Sequence, residues 1–126
     1  MHFAWNPTLK TLDDAPEAAP AAHERAVVAF IHVEPKDGGE GAVETKLVKN
    51  AKWLARKWDT RRVILHSFTH LGEEKADPRA AKELIDRVHL RLEGAGYTAV
   101  QTPYGHFNDL TLQAQGHPLA RIFKEF

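Results

Sequence analysis

The chain has 126 residues, of which 43% are hydrophobic and 27% charged, so it is long enough for one packed core and too short for a multidomain enzyme. Lys and Arg together number 17, as do Asp and Glu, which excludes a global electrostatic attraction to nucleic acid or to an anionic membrane. Cysteine is absent, which excludes disulfides, thiolate nucleophiles and zinc sites with cysteine ligands.

The distribution of apolar residues excludes two further classes. No apolar run approaches the ~18–20 residues that a membrane-spanning helix needs. Residues 1–7 lack the basic region and apolar stretch of a secretory signal. We therefore expect a cytoplasmic protein that does not interact with a membrane.

The N-terminal region has little regular pattern. Residues 3–5 are a short apolar piece that fits a first strand. Residues 6–24 contain three prolines and an alanine-rich stretch, and interior prolines remove backbone donors and clash with the preceding turn of a helix. We expect residues 6–24 to form an irregular surface loop.

Two apolar runs with a helical segment between them follow. Residues 25–33 are a continuous β-branched and aromatic run, typical of a central strand buried on both faces. Residues 40–58 carry apolar residues at spacings of three and four, which predicts a helix. Its apolar stripe consists of Val43, Leu47, Ala51, Leu54, Ala55 and Trp58. Residues 62–68 are a second apolar strand.

The opposite face of this predicted helix is basic, and the turn after it adds two arginines. Its cations are Lys46, Lys49, Lys52, Arg56, Lys57, Arg61 and Arg62. Such a face can bind the phosphates of a nucleic acid, or it can be an ordinary solvated surface. Composition leaves both interpretations open.

A second helix is predicted over residues 77–94. Asp77 followed by Pro78 is typical of an N-cap and a first helical position, and Gly94 and Gly96 end the segment. Its buried stripe is predicted to be Ala81, Leu84, Ile85, Val88 and Leu92.

The C-terminal part returns to strands. Residues 97–102 and 107–114 alternate in hydrophobicity as strands do, and we expect a short helix within residues 116–123, where the signals are mixed. The order of these elements predicts an α/β fold in which a mixed β-sheet is covered by two main helices, as one domain over residues 1–126.

Polar segments at residues 67–70 and 104–108 stand at the ends of predicted strands, where open α/β sheets tend to bind ligands. A metal site could use the histidines His66, His70, His106 and His117. The four-residue spacing of the first two brings ligands together only on a helix, so we predict no metal and no other cofactor.

Four short phrases occur in register along the chain. They are Ala29-Phe30-Ile31-His32-Val33-Glu34, Phe68-Thr69-His70-Leu71 with Glu74-Lys75-Ala76, Pro103-Tyr104-Gly105, and Gly116-His117-Pro118-Leu119-Ala120. Their order and spacing, from residue 25 onward, resemble the N-terminal editing domain of archaeal threonyl-tRNA synthetases.

The resemblance implies the fold of D-aminoacyl-tRNA deacylases and the hydrolysis of L-serine wrongly esterified to threonine tRNA. Serine lacks one methyl group of threonine, a difference worth only ~1–3 kcal/mol of discrimination, so a second pocket is needed for high fidelity. Because no synthetase body follows Phe126, we expect a freestanding deacylase that acts in trans on tRNA, alongside a synthetase without its own editing domain. Related deacylases also imply a homodimer.

The resemblance further implies roles for individual residues. Phe68, Thr69 and His70 would line the aminoacyl pocket, and Val33 and Glu34 would border the terminal adenosine. The catalytic positions would be His70, Phe107 and Asn108. The remaining substrate-binding positions would be Tyr104, Gly105, His106, His117 and Arg121.

Asn108 departs from the family pattern, because a lysine usually stands at this position. An amide can hydrogen-bond a carbonyl or a water, but it brings no charge to a developing oxyanion, a loss worth ~10²–10³-fold in rate. Arg121 stands where an acidic residue is usual and could supply the positive charge that the missing lysine would have brought.

Besides the deacylase, two alternative functions therefore remain: a non-catalytic module that binds aminoacyl-tRNA or adenosine, and a small-molecule hydrolase with a histidine-bound metal.

Overall fold

The computed structural model describes residues 1–35, 41–69, 74–124 and 126. Its elements in chain order are β1 (His2–Lys10), β2 (Ala21–His23), β3 (Ala26–Ile31), α1 (Ala42–Lys57), β4 (Arg62–Ser67), α2 (Pro78–Gly94), β5 (Thr98–Gln101), β6 (His106–Gln113) and a 3₁₀ helix (Pro118–Ala120). The strands form an antiparallel sheet of order β2-β1-β6 and a parallel sheet of order β3-β4-β5. The predicted α/β class, with strands of both orientations and two helices, is confirmed.

The parallel sheet is the middle layer of the fold. On one face, Val27, Val63 and Leu65 pack with the buried residues of α1 and α2. On the other face, Ile64 packs with Phe3 and with further apolar residues of β1 and β3. Because both faces are covered, β3 and β4 are apolar at consecutive positions rather than at alternate ones.

The strand order differs from the expectation for residues 25–33. We expected this run to be the central strand, but β3 lies at an edge of the parallel sheet and β4 lies in the centre. Both runs are apolar on both faces, so the hydrophobic pattern does not distinguish an edge strand from a central one when the edge is covered by other layers.

Both helices lie close to their predicted positions. The Asp77 carboxylate accepts hydrogen bonds from the Arg79 and Ala80 backbone N–H groups, and Pro78 occupies the first turn of α2. All five residues of the predicted α2 stripe are buried. In α1, Ala51 and Ala55 are buried as predicted, and Val48 is buried beyond the predicted stripe.

The N-terminal strand is longer than predicted, which corrects the expectation of a loop over residues 6–24. β1 continues to Lys10, and residues 21–23 form β2. Pro7 is tolerated because the pairing with β6 is irregular there, with a register shift between Pro7 and Leu9. Residues 13–20 contain no helix or strand.

These pairings bring three chain segments to one edge of the molecule. The end of β1 meets the start of β6, where the Thr11 N–H donates to the Gly105 carbonyl at 2.7 Å. The end of β4 lies nearby, because the Thr102 N–H donates to the Leu65 carbonyl at 3.1 Å. Within the described ranges, neither helix has the length and apolar character that a bilayer span requires.

Candidate functional site

A cleft of about 490 Å³ opens at this edge, between the end of β4 and the turn from β5 into β6. Its described lining comes from the end of β1, Val33, the end of β4, the segment that leads into α2, and residues 102–108 with Leu110. The lining side chains are mostly apolar, hydroxyl-bearing or aromatic, with two imidazoles, one amide and one ammonium group. The cleft therefore suits a ligand that has both apolar and hydrogen-bonding parts.

Most of the predicted aminoacyl-site residues line this cleft. They are Val33, Phe68, Thr69, Tyr104, Gly105, His106, Phe107 and Asn108. The described part of the polar segment at residues 67–70 and the polar segment at residues 104–108 thus lie together at one cleft. The individual roles of these residues stay predictions.

The remaining predicted site residues lie elsewhere. Glu34 lines a smaller neighbouring cavity of about 130 Å³, to which Val33 also contributes. The His117 ring packs on Trp58 at the C-terminal end of α1, with ring centroids 5.4 Å apart. Neither His117 nor Arg121 lines the described part of the cleft. His70 falls outside the described residues.

His66 is a cleft residue that we did not predict as part of the aminoacyl site. It is 7% exposed and packs against the rings of Phe3, Phe30 and Phe68. Its Nδ1 lies 2.8 Å from the Thr102 hydroxyl. Burial lowers the pKa of His66 below its usual value of 6.5, so the imidazole is neutral at pH 7.

Asn108 is held by a local contact and has one spare acceptor. Its Nδ2 donates to the His106 carbonyl at 3.3 Å, whereas its Oδ1 is buried without a hydrogen-bond partner. A buried unpaired acceptor is costly and is commonly satisfied by a ligand or a water. The neighbouring Phe107 is 59% exposed, so it presents an apolar ring at the cleft.

Gly105 allows the N-terminal segment to close one wall of the cleft. Its φ of +77° lies in the left-handed region, and a Cβ there would come within 2.9 Å of the Ala15 Cβ. Beside it, the Tyr104 hydroxyl donates to the Pro78 carbonyl at 2.7 Å. Burial, and then the charge of Asp77, raise the pKa of Tyr104, so its hydroxyl stays protonated.

Besides His66, the cleft residues to which sequence reasoning gave no role include Thr11, Leu12, Lys75 and Thr102. Thr11 and Leu12 reach the cleft because β1 is longer than predicted. Thr102 ends a predicted strand. Its position next to the polar segment at residues 104–108 could have indicated that it lies at the cleft. Lys75 belongs to the sequence phrase Glu74-Lys75-Ala76 that resembles the family, but the residues around it in the sequence do not indicate a role for it.

The basic residues of α1 and the following turn differ in their surroundings. Lys46, Lys49 and Arg56 are exposed and Lys52 is half-buried, all on α1. Arg61 instead donates to the Gly96 carbonyl at 3.2 Å, and Arg62 donates to the Glu24 carbonyl at 3.0 Å. The α1 residues are thus accessible, and Arg61 is exposed as well although its side chain is engaged by the Gly96 carbonyl, whereas Arg62 is half-buried.

The described residues contain no group of three or more histidine, aspartate or glutamate side chains arranged to hold a metal ion. His66 in particular is enclosed by aromatic rings and hydrogen-bonded to Thr102.

Comparison with known proteins gives a consistent result. A family model for the archaea-specific editing domain of threonyl-tRNA synthetase matches residues 1–126. The chain is similar to threonine–tRNA ligases from Thermofilum pendens (27% identity over 96% of this chain and 20% of the relative), Methanopyrus kandleri (27%, 97% and 20%) and Pyrococcus horikoshii (31%, 79% and 16%). It therefore spans about a fifth of the length of these relatives.

The lowered pKa of His66 predicts a pH-dependent stability. Below about pH 6.5 the unfolded chain binds a proton on His66 that the folded chain excludes, so the free energy of unfolding falls as the pH drops toward 5. His66→Gln should make this decline shallower in thermal or urea unfolding at a series of pH values. Burial also lowers the pKa of His23, so the slope should shrink without vanishing. Equal slopes in both proteins would contradict the assignment.

Proposed function

The chain belongs to the family of the archaea-specific editing domain of threonyl-tRNA synthetase, and from that premise we propose that it removes L-serine from mischarged threonine tRNA. The supporting observation is the cleft, whose lining includes both Phe68 and Thr69 after β4 and Phe107 and Asn108 of β6. The family match supports tRNA proofreading in general, and the serine specificity is our proposal.

The cleft supplies groups suited to ester hydrolysis without a covalent intermediate. A water attacks the ester carbonyl carbon, the bond from that carbon to the ribose oxygen breaks, and this oxygen takes up the proton as serine leaves. In the proposal, Phe68 and Thr69 surround the seryl group, Asn108 orients the ester or the water, and the free ribose hydroxyl assists. Such positioning in a poorly solvated site can account for much of a rate enhancement.

The direct test is a deacylation assay with the purified 126-residue chain. We expect Ser-tRNA(Thr) to be hydrolysed faster than without protein, and Thr-tRNA(Thr) to be hydrolysed much more slowly, because the extra methyl group disturbs the productive pose. Activity of the isolated chain would also support action in trans. Equal rates with and without protein for the seryl ester would eliminate this function.

The alternative function, a non-catalytic binding module, rests on Asn108, because the family usually has a lysine at this position. Asn108→Lys should raise the deacylation rate if the site is a weakened catalyst, by up to about 10²-fold for a restored charged donor. Gln115→Lys adds the same charge at an exposed position past the opposite end of β6, outside the described cleft lining, and should leave the rate unchanged. A wild-type chain that binds a non-hydrolysable seryl-adenosine analogue without turnover would favour the binding module.

The basic face of α1 is proposed to contact tRNA phosphates. Lys46 and Lys49 are exposed there, with no carboxylate of the described residues at ion-pair distance, and each bound phosphate steepens the salt dependence of binding. Replacing both with glutamine should weaken tRNA binding and reduce the slope of log affinity against log salt by about one for each phosphate that the variant no longer binds. If the slope of log affinity against log salt is the same in the variant and the wild type, this face of α1 does not bind tRNA phosphates.

Self-association is proposed through the antiparallel sheet. Leu9, Phe107, Leu110 and Leu112 are 39–62% exposed on β1 and β6, and exposed apolar side chains near an edge strand are a common basis for association between chains. We expect a homodimer in sedimentation analysis and a shift to monomer in Leu112→Glu. A monomeric wild-type chain at micromolar concentration would contradict this.

The proposed cellular setting is the cytoplasm, beside a threonyl-tRNA synthetase that lacks its own editing domain.

A further inference from the structure

One permanent charge lies among the described residues that line the cleft. The side chains there are apolar or aromatic, or carry hydroxyl, amide or imidazole groups, and Lys75 is the exception. Arg121, the other candidate for a substitute cation, is not part of this lining. If the cleft attracts a negative charge, the described residue that does so is Lys75.

The backbone on both sides of Lys75 is tied to the end of β3. On one side, the His32 Nε2 atom lies 2.5 Å from the Glu74 carbonyl oxygen. On the other side, the Ala76 N–H donates to the Val33 carbonyl at 2.8 Å, and the Ala76 side chain packs against the main core. These contacts hold Lys75 at the cleft rather than leaving it on a free loop.

Lys75 is also available to a ligand. It is exposed, and no carboxylate of the described residues lies within ion-pair distance of its ammonium group. The other lysine near the cleft, Lys82, is already engaged by the Asp86 carboxylate at 2.7 Å and by the Gln101 amide oxygen at 2.8 Å. An unpaired ammonium beside an otherwise neutral cleft favours an anionic oxygen.

We propose that Lys75 binds an anionic oxygen of the acylated 3′ end in this cleft. The identity of the ligand rests on the function proposed above, whereas the placement of the cation rests on the geometry alone. Two oxygens of that ligand share the required chemistry: a phosphodiester oxygen of the terminal nucleotide, and the oxyanion that develops on the ester carbonyl. In either case, the cation among the described lining residues lies on the segment before α2, in the same lining as the neutral Asn108.

The test compares Lys75→Met, which removes the charge at similar length, with Lys75→Arg, which keeps it. Single-turnover deacylation of Ser-tRNA(Thr) gives both the saturated rate and the half-saturating protein concentration. We expect Lys75→Met to lose about 10- to 100-fold in their ratio, the range of a charge-assisted hydrogen bond, and Lys75→Arg to recover most of it. Arg79→Met is the matched control: its side chain is 87% exposed, it does not line the cleft, and it should stay within about twofold of wild type.

Two non-hydrolysable seryl-adenosine analogues, one with and one without a 5′-phosphate, separate the two sources of negative charge. If Lys75 binds the phosphate, Lys75→Met weakens binding of the phosphorylated analogue alone. If Lys75 meets the oxyanion, both affinities stay unchanged and the saturated rate falls. These binding measurements need no catalytic turnover.

The outcomes distinguish this inference from the proposed function. An active wild-type chain whose Lys75→Met variant matches it in rate and in both affinities overturns the role of Lys75 and leaves the deacylase standing. A wild-type chain that neither deacylates nor binds either analogue overturns both. If the wild type binds without turnover, an unchanged affinity of Lys75→Met for the phosphorylated analogue overturns the role of Lys75.

Discussion

The burial of the parallel sheet on both faces is the constraint on which the rest of the structure depends. Val63, Ile64 and Leu65 of β4 are at most 1% exposed, because the helices cover one face and β1 covers the other. Burial of apolar surface contributes about 25 cal/mol per Å², so this three-layer arrangement is strongly favoured over any exposure of β4. Polar groups in this strand are therefore confined to its ends, and the cleft lies where the strand leaves the core at its carboxyl end.

The walls of the cleft follow from contacts made by that same edge. The positive φ of Gly105 lets the segment after β1 approach the start of β6, and the hydrogen bonds of Glu74 and Ala76 hold the segment before α2 against β3. The interior that results is largely neutral: His66 is kept uncharged by burial, and Asn108 offers an amide. Among the described lining residues, one cation lies beside neutral hydrogen-bonding groups, which suits a ligand with one local negative charge.

Local patterns were sufficient for the elements whose burial follows from their own residues. The Asp77 cap and the apolar stripe of α2 were predicted correctly, and so were the strand ends that form the cleft. The length of β1 was missed because its strand pairing with residues 106–113 spans most of the chain, and Pro7 interrupts the local strand signal. The central position of β4 was missed because β3 has an equally apolar run. Lys75 was missed because its position depends on tertiary hydrogen bonds of its neighbours, between Glu74 and His32 and between Ala76 and Val33.

The most direct measurement is a crystal structure of the chain with a non-hydrolysable seryl-adenosine analogue bound. The account predicts that the seryl group lies between Thr69 and Phe107, with its ester mimic near Asn108 and the adenosine toward Val33 and Glu34. An analogue bound on another surface, such as the basic face of α1, with the cleft unchanged from the free protein, would contradict it.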